Sequence, residues 1–190
     1  MKRIAIFASG SGTNAENLIN YFSNEKSARV SLILANRPDA YVIERAGNLS
    51  VPTRIFDRSD FYDSQRVLDI LVEEEIDFIV LAGFLWLVPG EIIERYRGRI
   101  VNIHPALLPD YGGKGMYGSR VHQAVISNKE KKSGITIHFV NEKYDEGDII
   151  FQATCDIASG DTAEILAKKI HELEYRHFPE VVKKIIADLK

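Results

Sequence analysis

The sequence predicts an α/β protein: a Rossmann-like open, mostly parallel sheet with helices on both faces and an antiparallel strand addition near the C-terminus. Three observations point there. Short, nearly continuous apolar runs recur early in the chain, as strands buried on both faces do. Stretches of helical spacing lie between them, and that alternation builds parallel sheets through right-handed crossovers. After residue 130 the order changes to two apolar runs joined by a short polar turn.

The elements follow in order. RIAIFAS (3–9), VSLILAN (30–36) and DFIVLAG (77–83) are the buried parallel strands. Leu18, Ile19 and Phe22 share one helical face, as do Val67, Leu68, Leu71 and Val72. RIVNIHP (99–105) is a further strand, ended by its proline. GITIHFV (134–140) and DIIFQATCDI (148–157), with NEKYDEG between them, form the antiparallel pair. A long helix starts after Asp161-Thr162, a capping position, and Pro179 is expected to end or kink it. The glycine-dense DYGGKGMYG (110–118) reads as a surface loop or as a lid beside a site.

At 190 residues, 45% hydrophobic and 27% charged, the chain suits one domain, 1–190. A net charge of −3 implies no broad basic surface for nucleic acid. One cysteine excludes an intrachain disulfide and fits a reducing compartment. No apolar run reaches membrane length and the N-terminus lacks the pattern of a signal peptide, so the expectation is a cytoplasmic protein without membrane partners.

Two segments carry candidate chemistry. SGSGTNAEN (9–17) joins the first strand to the first helix, where glycines let the backbone approach an anion and free helix N–H groups face it. Thr13 and Glu16 also match a capping box that needs no ligand. The Gly10-x-Gly12-x-x-Ala15 spacing fits a dinucleotide fingerprint, but no acid follows the second strand. Arg37 at that point could face the extra phosphate of NADP; a monophosphate is the more economical ligand.

In NIHPALLP (102–109), Asn102 and His104 share a strand face at its C-terminal end, where open parallel sheets bind ligands. An amide donates without titrating and an imidazole moves protons near neutrality, a combination suited to a developing oxyanion. The bland alternative is a histidine satisfied by local backbone and an asparagine capping a turn. No nucleophile motif stands nearby, so direct attack by a substrate group is expected rather than a covalent intermediate. The five histidines (104, 122, 138, 171, 177) lack metal-binding spacing, and no metal is expected.

GSGTN (10–14), VLAGF (80–84), NIHPALLP and YDEGDIIFQ (144–152), in order, resemble the folate-dependent formyltransferase family, and the first loop resembles its phosphoribosylglycinamide formyltransferases of purine synthesis. The resemblance runs from residue 4 to the FP at 178–179. It implies the formyltransferase fold, small-molecule substrates and 10-formyltetrahydrofolate as cosubstrate, in a monomer or homodimer. By the same resemblance, backbone amides of Gly12, Thr13 and Asn14 bind the phosphate and Glu174 the ribose. Leu85, Trp86, Leu87 and Val88 line the folate pocket, mostly through backbone, with Arg58 facing the folate. Asn102 and His104 flank the formyl group, and Asp145 holds His104 protonated. Trp86 departs from the family's frequent arginine, and the 110–118 loop is richer in glycine than usual. A small NADP-linked oxidoreductase and a non-catalytic folate- or phosphate-binding module remain as alternatives. Lys114 and Arg120 near the loop are further cations for an anionic substrate.

Overall fold

In the computed structural model, which describes residues 1–189, seven strands form one sheet in the order β3-β2-β1-β4-β5-β6-β7. The strands are β1 (Lys2–Ala8), β2 (Ala28–Ala35), β3 (Thr53–Ile55), β4 (Phe78–Leu81), β5 (Ile100–His104), β6 (Lys132–Phe139) and β7 (Ile149–Asp156). The first five are parallel; β6 runs antiparallel to β5, and β7 to β6. The helices are α1 (Thr13–Glu25), α2 (Val42–Asn48), α3 (Arg66–Glu73), α4 (Gly90–Arg95), α5 (Ser119–Ser127) and α6 (Ala163–Asp188), with a π-helical turn at Ser59–Asp63.

Strand alternation divides the core between the two faces. From β1, Ile4, Ile6 and Ala8 join α1, α5 and α6 on one side, while Ala5 and Phe7 join α3, α4 and the π-turn on the other. Leu18, Ile19 and Phe22 are buried as their spacing predicts. In α3, Val67 and Leu71 are buried, but Val72 is 47% exposed and falls off the apolar face.

Two expectations are corrected. Gly12 is the N-cap of α1 with φ 73°, no side chain caps that helix, and Glu16 pairs instead with Arg45 of α2, so no capping box forms. A Cβ at position 12 would lie 2.4 Å from Val42 Cγ2, which gives this glycine a packing reason of its own. And α6 does not end at Pro179 but continues to Asp188. Proline there removes one helical bond and leaves the Tyr175 carbonyl, four residues back, without its donor. The Asn17 side-chain amide of α1 donates to that carbonyl at 3.0 Å. Beyond the proline, Val181, Val182 and Ile186 are buried, each worth about 1.5–3 kcal/mol, which together exceeds the cost of about 3 kcal/mol for a proline inside a helix. Thr162 caps α6 as expected, its hydroxyl accepting from Ile165 N–H.

Order 3-2-1-4-5 reverses direction between β1 and β4, and there the strand ends leave a crevice. It is stitched at the base: Ser9 N–H donates to Gly83 O at 3.1 Å, and Leu85 N–H to Ser9 Oγ at 3.1 Å.

Candidate active site

A cleft of about 810 Å³ opens at this switch point. At one end lies the glycine loop, at the other Phe84–Trp86 and Arg58; Asn102, His104 and Asp145 sit in its wall, and the loop from Gly113 to Arg120 borders it. That size is typical of small-molecule sites.

The NIHPALLP segment is fixed by a buried polar network. Thr136 of β6, fully buried, donates its hydroxyl to Ala106 O at 2.7 Å and accepts from Leu108 N–H at 3.0 Å. The Gln152 amide of β7 donates to Thr136 Oγ1 and to Leu108 O. The antiparallel strands therefore hold the turn that carries His104. In the turn that carries Asp145, Gly147 passes so close to β6 that a Cβ there would lie 1.7 Å from Phe139 O, which explains the glycine two residues after Asp145.

Asp145 is the hub. Its Oδ1 accepts from Asn102 Nδ2 at 3.3 Å and lies 3.6 Å from His138 Nε2; its Oδ2 accepts from Gly113 N–H at 2.9 Å and lies 3.5 Å from His104 Nδ1. Burial would raise this carboxyl's pKa, but His138, His104 and the Gly113 N–H together hold it below the usual aspartate value, as the carboxylate. His138, 2% exposed, donates Nδ1–H to Phe139 O at 2.8 Å, and its Nε2 lies 3.1 Å from Asn102 Nδ2 and also faces Asp145. The ring is packed in the core and lies against Asn102.

His104 is 3% exposed and its Nε2–H donates to Tyr111 O at 2.7 Å, which leaves Nδ1 toward Asp145. Burial lowers its pKa, and the opposing pull of Asp145 and Tyr111 does not restore it. The neutral imidazole is favoured, the reverse of the protonated His104 that the resemblance implies.

At the glycine loop, Glu174 is 5% exposed, and its Oε2 accepts from Asn14 Nδ2 at 3.0 Å and meets His171 Nδ1 at 2.8 Å. The hydrogen bond from Glu174 raises the His171 pKa. The Arg45 guanidinium of α2 donates to Ser11 O at 2.9 Å and braces the loop. Arg37 also borders the cleft, and Asp39 engages it through two bonds at 3.1 and 2.7 Å, an exposed pair of modest strength. Lys114 and Arg120 line the cleft as well.

At the aromatic end, Leu85, Trp86 and Arg58 line the cleft. Leu87 and Val88 stand back from it: the Val88 side chain is buried in the core, and the Leu87 carbonyl accepts from Tyr62 O–H at 2.9 Å. Residues 110–118 carry no helix or strand, and Gly113, Gly115 and Gly118 have positive φ.

Sequence reasoning passed over His122, His171, Tyr62 and Thr136. His171 precedes Glu174 by one helical turn, a signal that could have found it. His122 is buried with Nδ1 unpartnered among the described residues, a fact no local pattern carries.

Comparisons with known proteins agree with this geometry. The formyl transferase family model matches residues 2–182. A phosphoribosylglycinamide formyltransferase of Bacillus subtilis (strain 168) is 35% identical over 191 residues, covering 98% of this chain and 95% of its own length. The chloroplastic enzyme of that name from Arabidopsis thaliana is 39% identical over 187 residues, 95% of this chain. The chain spans 64% of that plant relative's length, and 60% of the Vigna unguiculata one. The crystal structure of phosphoribosylglycinamide formyltransferase from Bacillus halodurans superposes with a TM-score of 0.89 at 38% identity, covering 100% of this chain and 97% of that one. With a family model matched over nearly its whole length, the chain belongs to the formyl transferase family.

Proposed function

We propose that this protein transfers the formyl group of 10-formyltetrahydrofolate to the amine of N1-(5-phosphoribosyl)glycinamide in purine biosynthesis. The observation that carries the proposal is the convergence of Asn102, His104 and Asp145 midway along a cleft with an anion-suited glycine loop at one end and an aromatic wall at the other. Relatives that bear the name of this activity support it along nearly the whole chain.

The substrate amine attacks the formyl carbon; a C–N bond forms and the carbonyl electron pair moves to oxygen. An Asn102 N–H stabilises that oxyanion by turning from Asp145, the longer of the amide's two bonds. Neutral His104, with Asp145 beside Nδ1, takes the proton that the amine loses and becomes an imidazolium paired to a carboxylate. It then returns the proton to N10 as the carbon–N10 bond breaks, leaving formylated ribonucleotide and tetrahydrofolate. Gly12, Thr13 and Asn14 take the phosphate through backbone N–H groups at the start of α1, and Glu174 the ribose hydroxyls. Trp86, Leu85 and Arg58 receive the folate. Every side chain invoked comes from one chain, so monomer and homodimer serve equally. A cytoplasmic location suits the lone reduced Cys155, and among the described residues no helix is long and apolar enough to cross a membrane.

Steady-state turnover of 10-formyltetrahydrofolate tests the proposal. Turnover that saturates with glycinamide ribonucleotide and vanishes without it is expected. Equal loss of the formyl group without the ribonucleotide would make the protein a hydrolase, and a folded protein inactive in both mixtures would be a binding module.

A further inference from the structure

The π-helical turn at Ser59–Asp63 packs two neighbouring aromatic residues in opposite senses. Phe61 is buried, its ring against Phe7, Phe56 and Phe84, whereas Tyr62 is 37% exposed beside the cleft. A π-turn admits one extra residue into a helical turn and re-aims the side chains around it. Here the residue so aimed reaches 25 positions along the chain, and its hydroxyl donates to Leu87 O at 2.9 Å. Burial raises the phenol's pKa, so it remains a donor at neutral pH.

We infer that Tyr62 is a positioning residue for the segment 85–88, fixing the folate-side wall of the cleft through its bond to the Leu87 carbonyl and its contact with Trp86. The inference rests on the folate reading above. Three observations carry it. First, among the described residues the segment makes two hydrogen bonds: Ser9 Oγ accepts from Leu85 N–H on one side, and Tyr62 O–H donates to Leu87 O on the other. Among the described residues, the N–H and C=O of Trp86 between those ties make no hydrogen bond, so that peptide is held in place and left for a ligand. Second, the Trp86 ring is set by Tyr62 at 6.1 Å, together with Phe56, Phe61 and Phe84 at 5.9–6.3 Å, an edge and tilted cluster that fixes its plane. Third, the Arg58 guanidinium lies 5.0 Å from the Tyr62 ring and 5.4 Å from the Trp86 ring. It has no carboxylate partner among the described residues, so the two rings are what hold it at the cleft mouth.

The test is Tyr62→Phe, which keeps the ring, its stacking on Trp86 and its face toward Arg58, and removes only the hydrogen bond. Loss of one such bond should raise KM for 10-formyltetrahydrofolate about five- to tenfold. KM for the ribonucleotide and kcat should stay within about twofold, a split that mere destabilisation of the fold does not produce. Trp86 is the chain's single tryptophan, so its fluorescence reports folate binding without turnover. Titration with tetrahydrofolate should quench it, with the midpoint in Tyr62→Phe shifted upward by the same factor. Unchanged midpoint and KM, or equal losses toward both substrates, would overturn the positioning role while leaving formyl transfer intact. Absence of both turnover and quenching in the unmodified protein would instead overturn the folate reading, and this inference with it.

Discussion

His104 lies between two oxygens that favour its charged form, Tyr111 O at 2.7 Å and Asp145 Oδ2 at 3.5 Å, yet burial outweighs them and lowers its pKa. A neutral imidazole is the competent base, and protonation removes it. The acid limb of kcat/KM should therefore fall as pH drops through a value below 6.5, the ordinary histidine figure. A pH–rate profile measures it; an inflection above 6.5 would mean that Asp145 holds the ring protonated after all. Asn102→Ala removes the N–H that, in the proposed reaction, turns from Asp145 to the oxyanion and should reduce kcat by roughly 10²–10³-fold, checked by steady-state kinetics with both substrates saturating. These two residues were legible because a proline ends their strand and a period of two aligns them. The state of the histidine was not, because it depends on how deeply β5 and the Tyr111 turn bury the ring, which no local pattern encodes.

At the scale of elements, the site depends on strands that supply no reacting group. Thr136→Val keeps the shape at β6 but removes the partner of the Leu108 N–H and of Gln152, leaving buried donors unpaired. A loss of about 1–3 kcal/mol in denaturant unfolding is expected, with lower kcat because the His104 turn loosens. The strands β1, β2 and β4 were readable in the sequence as nearly continuous apolar runs, whereas β3, three residues with two of them exposed, was not. Of the two outcomes expected at Pro179, an end to the last helix is avoided for a long-range reason: its freed carbonyl at Tyr175 is satisfied by Asn17, 158 residues away in sequence. Asn17→Ala should consequently cost about 1 kcal/mol or less, seen as a small fall in unfolding midpoint. The capping box failed likewise, because Arg45 of α2 claims Glu16.

Across the whole molecule, the cleft has two chemically distinct ends joined by one strand. Polar groups of α1 and α6 make the first, around Asn14, His171 and Glu174; rings from both sides of β4 make the second, around Phe84 and Trp86. Substitutions should therefore separate by end. Asn14→Ala should raise KM for the ribonucleotide about tenfold and leave KM for the folate unchanged. The parallel sheet with its antiparallel addition and the two binding segments could be inferred from alternation and from the quoted motifs, whereas the short edge strand β3 and the order of strands in the sheet could not. Neither could the pairing of Arg37 with Asp39, two exposed side chains. The most direct measurement follows an isotopically labelled formyl carbon from 10-formyltetrahydrofolate in the presence of the ribonucleotide. Label recovered in the formamide of the ribonucleotide, with none in free formate, is the outcome that direct amine attack predicts. Label recovered in formate would contradict it.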